Sequence, residues 1–184
     1  PFGFTADNTM ACVGTCRDEL CVPLRNAIIE QWGEAFNLAS LGGMMFAGRT
    51  GFHAAHAHAP QVHGRRRHLY VAMPHVGIAA DGTVGVCERF GIEGLSAACG
   101  ALAGFRSALA SGVRSFELVL EDVEQSLLQK ELAEHLEPDR VPDLFELTLL
   151  AEQVIRRDLE REIAATVDVA EIDYAVFTGV QIHG

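Results

Sequence analysis

The chain has 184 residues, of which 49% are hydrophobic, and a formal net charge of −11 at pH 7. This length and apolar content indicate one well-buried domain and exclude a disordered chain or two domains of ordinary size. The acidic balance argues against nucleic acid as a partner, and the absence of a long apolar run argues against a membrane-spanning segment.

The five cysteines are an odd number, which does not indicate a disulfide framework. Reduced thiols with metal-binding or structural roles are expected instead, in a cytosol-like compartment. The sequence begins at Pro1 rather than Met. We therefore expect a cytoplasmic protein, or a protein of the plastid stroma if a transit peptide has been removed.

The predicted elements follow from hydrophobic periodicity and from turn residues. Between Asp18 and Trp32, for example, apolar side chains recur at every fourth position, which predicts a helix. The first half is predicted to contain a lead-in loop (1–8), a strand (9–16), a helix (18–32), a buried strand or strand and turn (36–46), a turn (48–51) and a short His-rich helix (52–59).

The second half begins with a polar, basic segment and continues with strands and amphipathic helices. Its predicted elements are a loop or sheet edge (61–68), a strand interrupted at Pro74 (69–79), a hairpin turn at Asp81-Gly82 with a return strand (84–89), a helix (96–109), a short strand (116–119), two amphipathic helices (122–136 and 143–165) and a late strand (174–182). Together these elements predict one α/β domain over residues 1–184, with a central mixed β-sheet flanked by helices.

Three soft donors lie at predicted element boundaries. Cys16 ends the first strand, His75 follows the interruption at Pro74, and Cys99 begins a helix. Thiolate and imidazole are the usual zinc ligands, and a catalytic zinc site keeps three protein ligands. Strand ends are also where open α/β sheets bind ligands. The pattern nominates Cys16, His75 and Cys99 as metal ligands with Asp18 beside them, the alternative being two buried hydrophobic cysteines and a hydrogen-bonded core histidine.

Two further clusters carry titratable groups. In the His-rich helix, His53 and His56 share a face, whereas residues two positions apart do not. These histidines, together with His58, are candidates for metal ligands, for a proton relay or for a structural role. Cys12, Cys16 and Cys21 form a thiol cluster that could bind structural zinc or be redox-active, although their spacings match no common zinc motif.

Five stretches together resemble a known family, the limiting-CO2-inducible B family, which is also called theta-class carbonic anhydrase. They are Cys-Arg-Asp-Glu (16–19), Arg-Thr-Gly-Phe-His-Ala-Ala-His-Ala-His-Ala-Pro (49–60), Pro-His-Val-Gly-Ile (74–78), Ser-Ala-Ala-Cys-Gly-Ala-Leu (96–102) and Thr-Gly-Val-Gln-Ile-His-Gly (178–184). The resemblance implies a fold similar to that of the β-class carbonic anhydrases. It also implies zinc as the cofactor, CO2 and bicarbonate as the small-molecule partners, and a homodimer.

The resemblance also implies roles for individual residues. Cys16, His75 and Cys99 would hold zinc, and Asp18 would orient a zinc-bound hydroxide toward CO2. Leu20 stands where the β-class enzymes have an arginine, so either another arginine pairs with Asp18 or Asp18 is unpaired. Arg89 is our choice and Arg17 the alternative.

An unpaired Asp18 could itself ligate zinc and close the site. His56, or alternatively His58, is the expected proton relay. Three rival interpretations are a catalytically silent zinc protein of the same fold, a redox protein that uses Cys12, Cys16 and Cys21, and a helical interaction module built on residues 122–165.

Overall fold

The computed structural model describes residues 3–184, so that Pro1 and Phe2, the start of the predicted lead-in loop, lie outside the described residues. The described strands are β1 (Met10–Thr15), β2 (Ala35–Asn37), β3 (Gln61–Val62), β4 (Arg65–Met73), β5 (His75–Gly77), β6 (Val86–Glu88), β7 (Leu95–Ala97), β8 (Ile172–Thr178) and β9 (Gln181–His183). The described α-helices are α1 (Val22–Trp32), α2 (Gly48–His58), α3 (Gly100–Ala110), α4 (Val123–Ala133) and α5 (Leu144–Thr166). Short 3₁₀ turns cover Glu19–Cys21, Leu41–Gly43 and Leu120–Asp122.

The central sheet is built on four parallel strands in the order β2-β1-β4-β8, and the short β3 pairs antiparallel with the start of β4. Thr15 lies opposite Met73, and Ala72 lies opposite Thr178. The carboxyl ends of β1, β4 and β8 therefore meet at one edge of the sheet. This is the edge at which open α/β sheets bind their ligands.

Helices cover the two faces of this sheet unequally. On one face, the core around Cys12, Tyr70 and Ala72 includes apolar side chains of α2, α3, α4 and α5. On the other face, Val13 and Val71 pack with side chains of α1. All six residues of β1 are buried, as expected for a parallel strand that is covered on both sides. The predicted fold class, an α/β fold with a mixed sheet and flanking helices, is confirmed.

Two small sheets lie beyond the carboxyl edge. β5 pairs in parallel with β9, and β6 pairs with β7 as an antiparallel hairpin. A Cβ atom on Gly77 would lie 2.6 Å from the carbonyl oxygen of Val86, so glycine is needed where β5 meets β6. These two small sheets carry His75 and Arg89 to the same edge as Cys16.

Several local predictions were wrong. Residues 48–51 belong to α2 rather than to a turn. An added Cβ at Gly51 would lie 2.6 Å from the Cβ of Ala47, so a glycine at this position permits the close approach of Ala47 in the first turn of the helix. Of the two forms predicted for 36–46, a buried strand or a strand and turn, the structure has the second: β2 is followed by a 3₁₀ turn in which Gly42 and Gly43 take positive φ.

The strand predicted over 84–89 is shorter and pairs mainly with β7 rather than with the strand before it. Residues 116–119 form no strand, because Val119 bonds through its backbone to the side chain of Ser126 instead. Within residues 3–184, no helix combines the length and the apolar character that crossing a bilayer requires.

Candidate metal centre

The structure brings Cys16, His75 and Cys99 together at the carboxyl edge of the sheet. Cys16 directly follows β1, His75 begins β5 and Cys99 occupies the N-cap of α3. The two sulfur atoms are 3.6 Å apart, and the ligand atoms of all three residues lie within 4.8 Å of one another. All three side chains are buried, with at most 5% of any residue exposed. Three residues from distant parts of the sequence thus form one compact donor group.

The two thiols of this group influence each other's protonation. The hydrogen bond with Cys99 lowers the pKa of Cys16. The same hydrogen bond, together with burial, raises the pKa of Cys99. A pair of buried sulfurs that shares one proton is the apo form expected of a site in which a cation replaces that proton, because a coordinated thiol is deprotonated.

His75 supplies the second sign that a metal fits here. Neither Nδ1 nor Nε2 of its fully buried ring has a hydrogen-bond partner within the described residues. Buried polar atoms are nearly always satisfied, so an orphaned imidazole beside two thiols points to a ligand outside the chain. Two sulfurs and one nitrogen match the donor set of a three-ligand zinc site.

Asp18 lies beside this group and is held by Arg89. Arg89 Nη1 donates to Asp18 Oδ1 at 2.9 Å, and Nη2 donates to Oδ2 at 2.8 Å. The backbone N–H of Leu20 also donates to Oδ1, and His75 Nε2 is 3.7 Å from Oδ2. Although partial burial raises the pKa of Asp18, the hydrogen bonds from Arg89 and Leu20 lower it, and the net shift is downward. Asp18 is therefore an ionised, oriented carboxylate.

Arg89 is itself fixed by several acceptors. It follows the last residue of β6, and its guanidinium also donates to the carboxylate of Glu19 and to the carbonyl of Ala97 at the end of β7. The β6–β7 hairpin thus sets the position of the Asp18 carboxylate. Arg17, the alternative partner, points elsewhere: its Nε donates to Glu124 Oε2 at 2.9 Å.

The structure places His56, the expected proton relay, in a different part of the core. His56 Nε2 is hydrogen-bonded to the hydroxyl of Tyr70 at 2.8 Å, and its ring packs on that of His68. His68 Nδ1 in turn lies 3.8 Å from Cys12 Sγ. Since Cys12 precedes Cys16 by four strand residues, this network lies roughly 13 Å along the strand from the metal centre. No direct contact joins His56 to Asp18 or to the three donors among the described residues.

The thiol cluster considered from sequence is also divided. Cys12 belongs to the network of His68, and burial raises its pKa to about 12. Cys21 does lie near the centre, because its sulfur is within 4.8 Å of a ring nitrogen of His75. All five cysteines are free. The sequence placed Cys21 only in the thiol cluster with Cys12 and Cys16. It did not nominate His183, because the proximity of His183 to His75 depends on the pairing of β5 with β9, which the sequence does not reveal.

A small cleft opens beside Cys16 and Asp18. It has a volume of about 180 Å³ and is lined by Cys16, Asp18 and Cys21 together with the polar residues Arg25 and Asn37. This volume is below the ~300–1,000 Å³ that is typical of sites for larger organic ligands. The cleft therefore suits a very small substrate.

The structure thus defines a class of protein. Its members have an α/β fold, and at the carboxyl edge of the parallel strands they carry a Cys-His-Cys donor group and an aspartate that is held by an arginine. The chain belongs to the family described as limiting CO2-inducible proteins B/C beta carbonic anhydrases, whose sequence profile matches residues 1–184. No curated protein sequence matches the chain closely enough to count as a relative.

Two solved structures that are similar to this chain support its membership of the family. The crystal structure of the limiting CO2-inducible protein LCIB is 35% identical, with a TM-score of 0.78, and the match covers 100% of this chain and 76% of that one. The crystal structure of PtLCIB4, a homolog of LCIB, is 26% identical, with a TM-score of 0.83, and the match covers 98% of this chain and 76% of that one.

Proposed function

We propose that this protein catalyses the reversible hydration of CO2 to bicarbonate with a zinc ion held by Cys16, His75 and Cys99. Family membership supports a carbonic-anhydrase-like protein. The observation that carries the catalytic part of the proposal is the Asp18 carboxylate, held through both oxygens by Arg89 beside the three donors. Zinc, when bound, lowers the pKa of a coordinated water so that hydroxide is available near neutral pH.

Asp18 would orient the nucleophile in this reaction. Its carboxylate is ionised and accepts hydrogen bonds from Arg89 and Leu20, and a remaining lone pair can accept one more hydrogen bond in the cleft. A fixed acceptor selects one orientation of the attacking oxygen before CO2 arrives, which avoids reorganisation during the reaction.

The same pairing favours an open metal site over a closed, catalytically silent one. A closed site would need a fourth protein ligand, and Asp18 is the nearest carboxylate to His75. Both oxygens of Asp18 are engaged by Arg89, whose side chain is itself 10% exposed and braced by Glu19 and Ala97. Moving Asp18 onto the metal would break this bidentate, charge-assisted pair.

We also propose that two copies of the chain form a homodimer through the sheet face that α1 leaves uncovered. An apolar groove of about 660 Å³ lies between α1 and β8, and it is lined by side chains that include Trp32, Val71 and Phe177. Phe177 is 58% exposed, and β8 pairs with β4 alone among the described strands. An exposed apolar face next to an unpaired strand edge is typical of an interface.

The catalytic proposal is tested by separating metal binding from hydration. Asp18→Asn keeps the shape of the side chain but removes the charge that Arg89 holds. We expect it to retain the wild-type zinc content and to lose most CO2 hydration in stopped-flow assays. Asp81→Asn, an exposed acid in the hairpin turn, serves as the matched control and keeps full activity. Full activity of Asp18→Asn would overturn the role proposed for this carboxylate.

A further inference from the structure

A second set of soft donors also contains His75. The sulfur of Cys21 and ring nitrogens of His75 and His183 all lie within 4.8 Å of one another. Cys21 ends the 3₁₀ turn after Asp18, and His183 is the last residue of β9. Neither residue belongs to the group of Cys16 and Cys99. The two groups share His75.

The pairing of β5 with β9 creates this second group. In the parallel register, His75 lies opposite Gln181 and Gly77 lies opposite His183. The rings of His75 and His183 meet edge to face, with their centroids 5.3 Å apart. Gln181 Nε2 donates to the sulfur of Cys21 and to the carbonyl of Met73. The thiol is therefore held toward the two imidazoles by a side chain that is anchored on the sheet.

The unsatisfied nitrogens argue for a ligand at this position. Both nitrogens of His75 and Nε2 of His183 are buried and lack a hydrogen-bond partner in the described part of the chain. A metal ion on Cys16, His75 and Cys99 would engage one nitrogen of His75. The other nitrogen of His75 and Nε2 of His183 would still have no partner. A cation between Cys21, His75 and His183 would engage a ring nitrogen of each histidine.

We propose that Cys21, His75 and His183 form a second binding position for a soft divalent cation such as Zn²⁺, joined to the first position by the imidazole of His75. The ion replaces the proton of the Cys21 thiol, and, once both ring nitrogens of His75 are ligated, the ring proton is also released to solvent. One thiolate is a poorer donor set than the two thiolates of the first position, so the second position fills after the first. It makes no use of Asp18 or Arg89 and goes beyond the proposed reaction.

The test is a titration of the metal-free protein with Co²⁺ alone, followed by thiolate-to-cobalt charge-transfer absorption and by metal analysis after gel filtration. The wild-type protein should bind two equivalents in two steps. His183→Ala and Cys21→Ser should each lose the second step and keep the first. Cys12→Ser is the control: it removes another buried thiol, which lies in β1 beside His68, and it should keep both steps.

Two results would overturn this inference. One is saturation of the wild-type protein at a single equivalent of Co²⁺, which would mean that water rather than a second ion lies between the two imidazoles. This result comes from the wild-type protein alone, so it does not depend on whether any variant folds. The other is a second step that persists unchanged in both His183→Ala and Cys21→Ser. The titration does not depend on activity. If the protein bound two equivalents of Co²⁺ but a separate assay found no CO2 hydration, the proposed function would be contradicted and the second metal position would still be supported.

Discussion

Arg89 and Asp18, which are 71 residues apart in the sequence, form a two-point ion pair of 2.9 and 2.8 Å at the metal centre. Their side chains are 10% and 11% exposed, so the pair is largely shielded from solvent. The arginine directly follows β6 of the β6–β7 hairpin and contacts Asp18 and Glu19 in the segment after β1. The pair thus connects the hairpin to the catalytic role proposed for Asp18.

The first prediction concerns this pair. Arg89→Lys keeps the positive charge but cannot donate to both carboxylate oxygens from one planar group. Since residues that orient a metal site typically change activity by ~10–100-fold when they are replaced, we expect a loss of this size in kcat/KM for CO2 hydration. Zinc content should stay at the wild-type level. Arg140→Lys, which alters an exposed arginine paired with Glu146 away from the cleft, is the control and should keep its activity.

The second prediction tests the packing behind Cys16. Gly43 has φ of +77°, and an added Cβ would lie 2.9 Å from the carbonyl oxygen of Met73 and 3.4 Å from the backbone nitrogen of Cys16. Gly43→Ala should therefore combine backbone strain, which costs of order 1–3 kcal/mol, with a clash against backbone that cannot move freely. Denaturant unfolding measures the total loss of stability.

Gly33→Ala provides the matched comparison. Gly33 has φ of +82°, but its added Cβ would meet nothing within 4 Å among the described residues. It should show the strain alone and keep its zinc, whereas Gly43→Ala should lose more stability and bind zinc more weakly. Equal losses in the two variants would show that the contact with Met73 and Cys16 has no effect.

The third prediction concerns pH. Burial, followed by the hydrogen bond with Asp158, raises the pKa of Glu131 from 4.5 to about 8 in the folded protein. Between these two values the unfolded chain has released this proton and the folded chain still holds it. The unfolded state then binds fewer protons, so this group makes stability fall as pH rises from about 5 to 8.

Glu131→Gln removes that contribution, because an amide does not titrate. Relative to the wild-type protein, its melting temperature should therefore increase as the pH is raised across this window. Glu134→Gln, an exposed residue at the end of the same helix, should follow the wild-type curve at every pH. A constant offset of Glu131→Gln from the wild-type curve between pH 5 and 8 would contradict the assignment.

The fourth prediction concerns the proposed homodimer. Phe177→Glu places a charge in the apolar groove between α1 and β8. Because burial of an unpaired charge is costly, this variant should run as a monomer in size-exclusion chromatography with light scattering, where the wild-type protein runs as a dimer. Leu120→Glu changes an exposed apolar residue outside the groove and should stay dimeric. A monomeric wild-type protein would refute the interface.

The three soft donors could be predicted from the sequence because each lies at a boundary between secondary-structure elements. A strand end at Cys16, a proline before His75 and a helix start at Cys99 are local signals, and parallel strands place such positions on one edge. The choice between Arg89 and Arg17 could not be predicted from such local signals. It depends on the pairing of β6 with β7, a contact between segments whose short strands carry little periodicity.

The location of the histidines shows the same limit. His53, His56 and His58 share one short segment, but the fold turns His56 inward onto Tyr70 and leaves His58 exposed. His183 lies near His75 only because β9 continues beyond β8 and pairs with β5. Strand pairing across a whole chain is a tertiary property, so the sequence pattern identifies candidate donors but not their partners.

The most direct measurement determines zinc content and stopped-flow CO2 hydration on one purified sample, for the wild-type protein and for Cys16→Ser. We expect the wild-type protein to contain zinc and to hydrate CO2, with hydration blocked by a sulfonamide or a small anion. Cys16→Ser should lose both the zinc and the activity. Wild-type hydration in a zinc-free sample, or an unchanged rate in Cys16→Ser, would contradict the proposed metal centre.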